Sequence, residues 1–404
     1  MTKTKYLILG AGPSGLTFAA KLKREGITDF LVLEKEKEAG GLCRSATVDG
    51  SEVDIGGGHF LDIRKEKVLD FLFEFMPKSE WNIFERNSKI QLDKKLIDHP
   101  FESNIWQLPL SEQVSYLKSI AAAGCNTGAL KPEKFVDWIY WKLGELIANH
   151  YMLPYNQKLF GDKLDDLGTY WLEKLPNVSF EETLMSCLEK RPFGKEPGHA
   201  KFYYPKKHGY GEVWRRIGDY LKGNIRYNES VKEFDVCMHQ IKTQKDSYEA
   251  EKILTTIPWN SCKLIANDTF VSDVKKLRHI SIAVSYIPDF LETDAHWIYE
   301  PSKKIDYHRI LIRHNFLPGS KGYWTETNIN RCSAQLENSF KNEYAYPVNT
   351  VEKPIVLKRM AEYLSGKGIY MLGRWGEHQH YNSDVCVEKA MELADRLEKE
   401  NENC

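Results

Sequence analysis

Residues 5–34 read KYLILGAGPSGLTFAAKLKREGITDFLVLE, and this run decides the fold. The apolar stretch Tyr6 to Leu9 is the pattern of a strand buried on both faces. It passes directly into Gly10, Ala11, Gly12, Pro13, Ser14 and Gly15, after which GLTFAAKL opens a helix. A second strand, FLVL, ends at the acid Glu34 and is followed by Lys35. Strand, glycine turn, helix, strand and acid within one βαβ unit are what a dinucleotide-binding turn requires. The glycines let the backbone approach a pyrophosphate at the helix N-terminus, where unpaired N–H groups and the helix dipole favour negative charge. Glu34 is then placed to take ribose hydroxyls.

The chain of 404 residues exceeds the size at which a single core stops growing, so it is expected to fold as two or three lobes. Its 42% apolar and 28% charged residues are ordinary for a globular protein. With a net charge of −1 there is no basic field to hold a nucleic acid or an anionic membrane. An anionic ligand must therefore be met by a few placed cations. No apolar run approaches the roughly 20 residues that span a bilayer, and the N-terminal MTKTKYLILGAG reads as a strand rather than a leader. Eight scattered cysteines without a C-x-x-C pair predict a reduced, cytoplasmic protein without a structural metal.

Further along, Gly41 and Leu42 follow a second glycine cluster, and Gly56, Gly57 and Gly58 precede His59. Residues 110–150 carry apolar residues at helical spacing. From 199 onward the pattern changes to strands and turns. In IDYHRILI, alternation puts Tyr307, Arg309 and Leu311 on one face and His308, Ile310 and Ile312 on the other. Arg309 shares its face with apolar neighbours and reads as a pocket cation, with Arg313 as the spare. GIYMLGRWG is a strand ending in a glycine turn, and Asp384 is a candidate cap for the last helix. The fold class is α/β: a Rossmann-type dinucleotide domain (1–98 with 199–265 and 355–404), a helical insertion (99–198) and an antiparallel sheet substrate domain (266–354). No GxSxG elbow or metal-spaced His/Cys set is present, so a cofactor must carry the chemistry.

The segments DHPFESNIWQLPLSEQV, FVDWIYWKLGELIANHYMLPYNQKLFG, HWIYEPSKKIDYHRILI, YAYPV and GRWGEHQHYNSDV carry more specific information. In this order they resemble the UDP-galactopyranose mutase family along most of the chain, within the amine-oxidase and protoporphyrinogen-oxidase-like superfamily of FAD flavoproteins. The resemblance implies FAD held by Gly10, Gly12, Pro13, Ser14, Gly15, Glu34, Lys35, Gly41, Leu42, Gly57, Gly58 and His59. Val231, Gly373, Arg374, Asp384 and Val385 complete that implied set, with the last helix's N-terminus at the flavin's pyrimidine edge. It further implies a sugar-nucleotide cleft with His99, Asn156, Phe160, Trp297, Tyr299, His380 and Tyr381. Arg309, Lys174 and Tyr346 would seat the diphosphate, and His59 would lie beside the flavin. Three positions depart from the family pattern. Lys174 stands where a second diphosphate arginine falls, His380 where a phosphate-contacting tyrosine falls, and His99 where another tyrosine falls. A lysine cannot make the bidentate fork of an arginine.

The implied reaction is a non-redox isomerisation in carbohydrate biosynthesis. A nucleotide-diphosphate hexopyranose becomes the furanose through attack of reduced FAD N5 on the anomeric carbon, with NAD(P)H as a candidate external reductant. A loop over 174–198, rich in Pro and Gly, is expected to close as a lid. A homo-oligomer is compatible with the sequence. Two other classes stay open: an amine-oxidase or protoporphyrinogen-oxidase-like oxidoreductase, and a flavin-binding interaction protein without catalysis.

Overall fold

Thr2–Leu9 lies inside an eight-stranded sheet, between Phe30–Leu33 and Ser247–Thr255, and is parallel to both. The computed structural model describes residues 1–402 apart from 173, 174, 176, 195–197 and 332–337. Beyond Phe30–Leu33 comes Ile225–Arg226. On the other side of Ser247–Thr255 the sheet divides. The start of that strand pairs antiparallel with Gln240–Thr243, while its end pairs parallel with Ile369–Met371. Tyr6 and Ile8 point to one face, into a core shared with Leu16, Ala19, Ala20 and, from the terminal helix, Val387 and Ala390. Leu7 and Leu9 point to the other, against Phe270, Val274, Val356 and Met360. Burial on both faces is the reason this strand reads as an unbroken apolar run.

The first helix begins at Pro13, inside the glycine turn, and runs to Arg24. Proline at the start removes an N–H that would have no partner there and presets the backbone angle. Gly10 has φ +101°, and a Cβ on Gly15 would lie 2.0 Å from the Gly10 carbonyl oxygen. Only a glycine at 15 lets helix and strand pack this closely.

A second sheet has seven strands in the order Ser339–Pro347, His279–Ile287, Tyr323–Asn328, Arg309–Leu311, Trp297–Tyr299, Ser88–Leu92 and Lys95–Asp98. It is antiparallel except where Trp297–Tyr299 meets Ser88–Leu92. The expected dinucleotide domain ran to residue 98, and its last residues pair here. The hairpin formed by Ser88–Leu92 and Lys95–Asp98 completes this sheet, since Ile90 and Ile97 are buried in the main core that its inner face lines.

The insertion is helical, with Leu110–Ala121 against Phe135–Ile147. The latter passes through a π-type turn, Ala148–Met152, into Leu153–Phe160. The expected lid segment, 174–198, lies only partly within the described residues. Ser179 and Glu182 form a reciprocal capping box, and the helix Phe180–Glu189 fills the middle of that segment. Lys174, Pro176 and Pro197 lie outside the described residues. No helix is long and apolar enough to cross a membrane among the described residues.

A Gly15→Ala chain should be destabilised by about 1–3 kcal/mol, the usual cost of overpacking, because its methyl meets backbone rather than a flexible side chain. Urea unfolding measures this, and an unchanged midpoint would mean that the helix is free to shift off the strand.

Candidate functional site

A cleft of about 590 Å³ opens at the C-terminal ends of the parallel strands. Gly10, Gly12, Pro13 and Ser14 line one part of it, and Glu34 and Lys35 the next. Gly41, Leu42, His59, Val231, Arg374 and Tyr381 also line it. No side chain caps the first helix at Gly12 and no acid sits in its first turn, so its leading N–H groups are available to an anion. A Cβ on Gly12 would meet only the Gly41 Cα, at 4.0 Å. The Glu34 carboxylate accepts from the Ala11 N–H at 2.7 Å and from the Glu36 N–H at 2.9 Å. Each of its oxygens keeps a lone pair for a ribose hydroxyl. Turn, helix terminus and acid fit an adenine dinucleotide.

Gly57 and Gly58 do not line the cleft; they connect it to the second sheet. Gly57 has φ +100°, and a Cβ on Gly58 would lie 2.1 Å from Leu311 Cδ2. The Gly58 N–H donates to Glu326 at 2.8 Å. Arg309 stands opposite Glu326 in the register and donates to it from Nε (2.9 Å) and Nη2 (2.6 and 2.8 Å). The Glu326 side chain is fully buried. Burial is the largest influence and raises its carboxyl, but the Arg309 charge, His308 and the Gly58 N–H together outweigh it, and the group falls to about 2. Arg309 also donates to the Tyr346 hydroxyl at 3.3 Å. Its Nη1 makes no hydrogen bond among the described residues.

His59 donates from Nδ1 to the Gly57 carbonyl at 2.8 Å and stacks on Tyr210 at 6.0 Å. Burial and then the Arg374 charge lower it to about 4, so at neutral pH it is an uncharged ring. Arg374 is held by the carbonyls of Tyr381 and Ala345. Gly373 (φ +73°) packs on Ser14, where a Cβ would lie 2.1 Å from the hydroxyl. The last helix starts at Ser383, and Ser383 and Cys386 line the cleft. Asp384 lies in the first turn, buried and with Oδ1 unpartnered among the described residues, while Val385 is half-buried.

An aromatic cluster stands beside Arg309. The Tyr299 ring lies 5.1 Å from His99 and 5.4 Å from Tyr155, and Tyr346 lies 5.1 Å from His380. Trp297 is buried and stacks on Phe60 at 4.9 Å. Two expected cleft residues are otherwise engaged. Asn156 donates to the Met152 carbonyl of its own helix, and Phe160 is part of the main core. Arg313 is removed as the spare cation, because it is fully buried and donates to the carbonyls of Val48, Ser51, Glu52 and Lys321. His308 breaks the expected alternation. The strand starts only at Arg309, and His308 turns its Nε2 to 3.6 Å from Glu326.

Glu326 and Arg86 escaped the sequence reading. Glu326 sits in YWTETN, a polar residue among polar residues, and only the strand register gives it a partner. Arg86 lies between two strands with no motif around it, and it reaches Tyr299 and His99 through contacts remote in sequence.

The model of an NAD(P)-binding Rossmann-like domain matches residues 8–75. A protein of Methanothermococcus thermolithotrophicus, described as an uncharacterized protein in the nifH2 3' region, is 56% identical over 102 residues, 25% of this chain and 97% of that protein. The chain belongs to that protein's family. An inactive all-trans-retinol 13,14-reductase of Danio rerio is 33% identical over 85 residues, which are 21% of this chain and only 14% of the reductase. Reduced UDP-galactopyranose mutase superposes with a TM-score of 0.84 at 22% identity, over 98% of this chain and 94% of the mutase. The chain has the mutase fold. A candidate protoporphyrinogen oxidase from Exiguobacterium sp. 255-15 shares it at a TM-score of 0.72 and 14% identity, over 99% of this chain and 100% of that one. The resemblance carried by the middle segments therefore holds for the architecture as a whole.

Two outcomes test this site. Gly12→Val should fold yet purify without flavin absorbance, since its Cβ makes only an ordinary contact with Gly41 while the side chain fills the cradle; retained stoichiometric flavin would displace the pyrophosphate from this turn. Glu326→Gln should cost about 3–5 kcal/mol at neutral pH, because it leaves the Arg309 charge without its partner. A carboxyl lowered in the folded state stabilises above its unfolded value of about 4.3 and loses that contribution as pH falls toward its folded value. The gap between wild type and variant should accordingly narrow below about pH 4.3 in urea unfolding, and a constant gap would contradict the ion pair.

Proposed function

We propose that the chain is an FAD-dependent mutase that interconverts pyranose and furanose forms of a nucleotide-diphosphate sugar, working with reduced flavin. One observation carries the reading: the ion pair of Arg309 and Glu326 joins the cofactor loop at Gly58 to an aromatic cluster beside a guanidinium edge. A redox enzyme acting on a neutral amine has no need of that cation beside its cofactor. When bound, reduced flavin supplies an electron-rich nitrogen as acceptor for the sugar's anomeric carbon.

The chain's own residues do the rest. Arg309 presents Nη1 to the departing diphosphate, and charge-assisted hydrogen bonds of this kind are among the strongest polar contacts available. Tyr346 accepts from Arg309, which leaves its own proton to donate to a phosphate oxygen. Burial raises the Tyr346 phenol, so it remains a donor throughout the neutral range. His59 backs the flavin as a neutral ring whose Nδ1 proton is tied to Gly57, and it takes no part in proton transfer. Tyr155, Tyr299 and His99 wall the cleft, and such apolar surfaces keep water from the reacting centre. Lys174 and His380 remain proposed contacts to the diphosphate, and Trp297 and Tyr381 proposed neighbours of the sugar and flavin.

The oxidoreductase alternative draws on the candidate protoporphyrinogen oxidase of the same fold. Incubating the dithionite-reduced protein with a panel of nucleotide sugars separates the two. Pyranose-to-furanose conversion without reductant consumed per turnover is expected, whereas steady oxygen or NAD(P)H consumption tied to product would favour the oxidase. Arg309→Lys keeps a charge for Glu326 but loses the fork, and it should weaken nucleoside diphosphate binding by about 1.5–3 kcal/mol. Calorimetric titration of the FAD-loaded proteins checks this, and unchanged binding would remove Arg309 from the diphosphate.

A further inference from the structure

Arg86 is the second guanidinium at the aromatic cluster, and its surroundings differ from those of Arg309. Its Nε donates to the Ser88 hydroxyl at 2.9 Å and its Nη1 to the Gly198 carbonyl at 2.7 Å. Its Nη2 lies 3.0 Å from His99 Nδ1 and 3.2 Å from the Tyr299 hydroxyl. One face of the guanidinium covers the Trp297 ring at 4.9 Å. All these acceptors are neutral, and no carboxylate lies within ion-pair distance of Arg86 among the described residues. A half-buried cation without a counter-charge among the described residues is a place where an anion is attracted.

The same contacts prepare two further donors. A guanidinium has only protons to give, so His99 Nδ1 must accept and the ring proton must sit on Nε2. The Tyr299 oxygen likewise accepts from Arg86, which frees its own proton to donate elsewhere. Arg86 thus converts two ambivalent side chains into donors. The strand register then fixes where they stand: Tyr299 is directly opposite Arg309 on the neighbouring strand. Neighbouring strands are about 4.8 Å apart, so the backbone of Tyr299, whose hydroxyl bonds Arg86, stands one strand from that of Arg309.

We propose that Arg86, His99 and Tyr299 form a second anion seat, which takes one phosphate of the nucleoside diphosphate while Arg309 and Tyr346 take the other. The inference rests on the nucleotide-sugar reading of this cleft. It locates the second cation on the sheet side, where the Ser88 hydroxyl and the Trp297 ring hold its guanidinium in place. It also gives His99 a function at a position where the resembled family has tyrosine: a neutral imidazole donating from Nε2 replaces a phenol donating from its hydroxyl.

The test uses the FAD-loaded protein and four probes, inorganic pyrophosphate, orthophosphate, UDP and UMP, titrated by calorimetry into wild type, Arg86→Gln and Arg86→Lys. Arg86→Gln should lose about 10- to 100-fold in affinity for pyrophosphate and UDP and should weaken orthophosphate as well, while the wild-type preference for UDP over UMP shrinks because the second phosphate has lost its seat. Arg86→Lys should recover part of the loss, since it restores the charge without the fork. A purely structural arginine would lower UDP and UMP together and keep that preference, or change nothing, and either result overturns the seat. Tyr299→Phe deletes only a hydroxyl and serves if the Arg86 variants do not fold; it should shrink the same preference, and an even loss or no loss would again overturn the proposal. The two readings fail separately. If pyrophosphate behaves as expected but wild type ignores UDP, the seat stands and the nucleotide-sugar assignment falls. If UDP binds equally to wild type and Arg86→Gln, the assignment stands and the seat falls. Failure of wild type to bind either overturns both.

Discussion

The buried pair of Arg309 and Glu326 is the constraint on which the two halves of the molecule depend. A carboxylate fully removed from water is costly unless it is paired and hydrogen-bonded, and Glu326 meets both conditions with the Arg309 fork and the Gly58 N–H. Those two partners come from different lobes. Arg309 belongs to the seven-stranded sheet, while Gly58 belongs to the loop that leads from the dinucleotide turn to His59. Removing either would leave charge or backbone unsatisfied on the other side. The close approach of Gly58 to Leu311 is part of the same seam, because any side chain at 58 would push the sheet away and open the pair to water.

This seam determines what the cofactor and substrate sides have in common. His59 follows Gly58 directly, and Phe60 carries the contact on to Trp297, over which Arg86 lies. A single stretch of backbone therefore positions a cleft-lining ring, a buried acid and the floor of the aromatic cluster. Packed interfaces of this density transmit small displacements rather than absorbing them. The geometry of the proposed diphosphate contacts and that of the cofactor cleft are for this reason set together.

The elements that act locally were legible in the sequence. The strand, glycine turn and helix at 5–24 are specified by apolar runs and by glycines, Gly10 for its positive φ and Gly15 for want of room for a Cβ. The terminal helix and the helical insertion were readable from periodicity alone. Elements defined by distant partners were not. The hairpin at 88–98 has the alternation of any half-buried hairpin, and nothing within it names the sheet it joins. Arg309 was placed on the correct face by counting, but its partner depends on the register between two strands separated by a loop and a short 3-10 turn. Arg313 satisfied the same counting rule and instead clamps carbonyls of the hairpin around Val48. Alternation gives a side chain's direction, and it does not say what waits there.

The pairing also changes how charge in the cleft should be understood. A chain with a net charge of −1 offers no long-range field, so a diphosphate must be held by local groups. Arg309 by itself was the natural choice, yet Glu326 neutralises it before any ligand arrives. What remains is a guanidinium edge with strong directionality and little net attraction. Directionality suits a group that must orient a leaving phosphate, and attraction must then come from cations that lack a carboxylate. Arg86 is such a cation, held by neutral acceptors only among the described residues. A cleft that separates the two tasks in this way can bind a charged substrate without burying two unpaired guanidiniums side by side, an arrangement that mutual repulsion would otherwise make costly to fold.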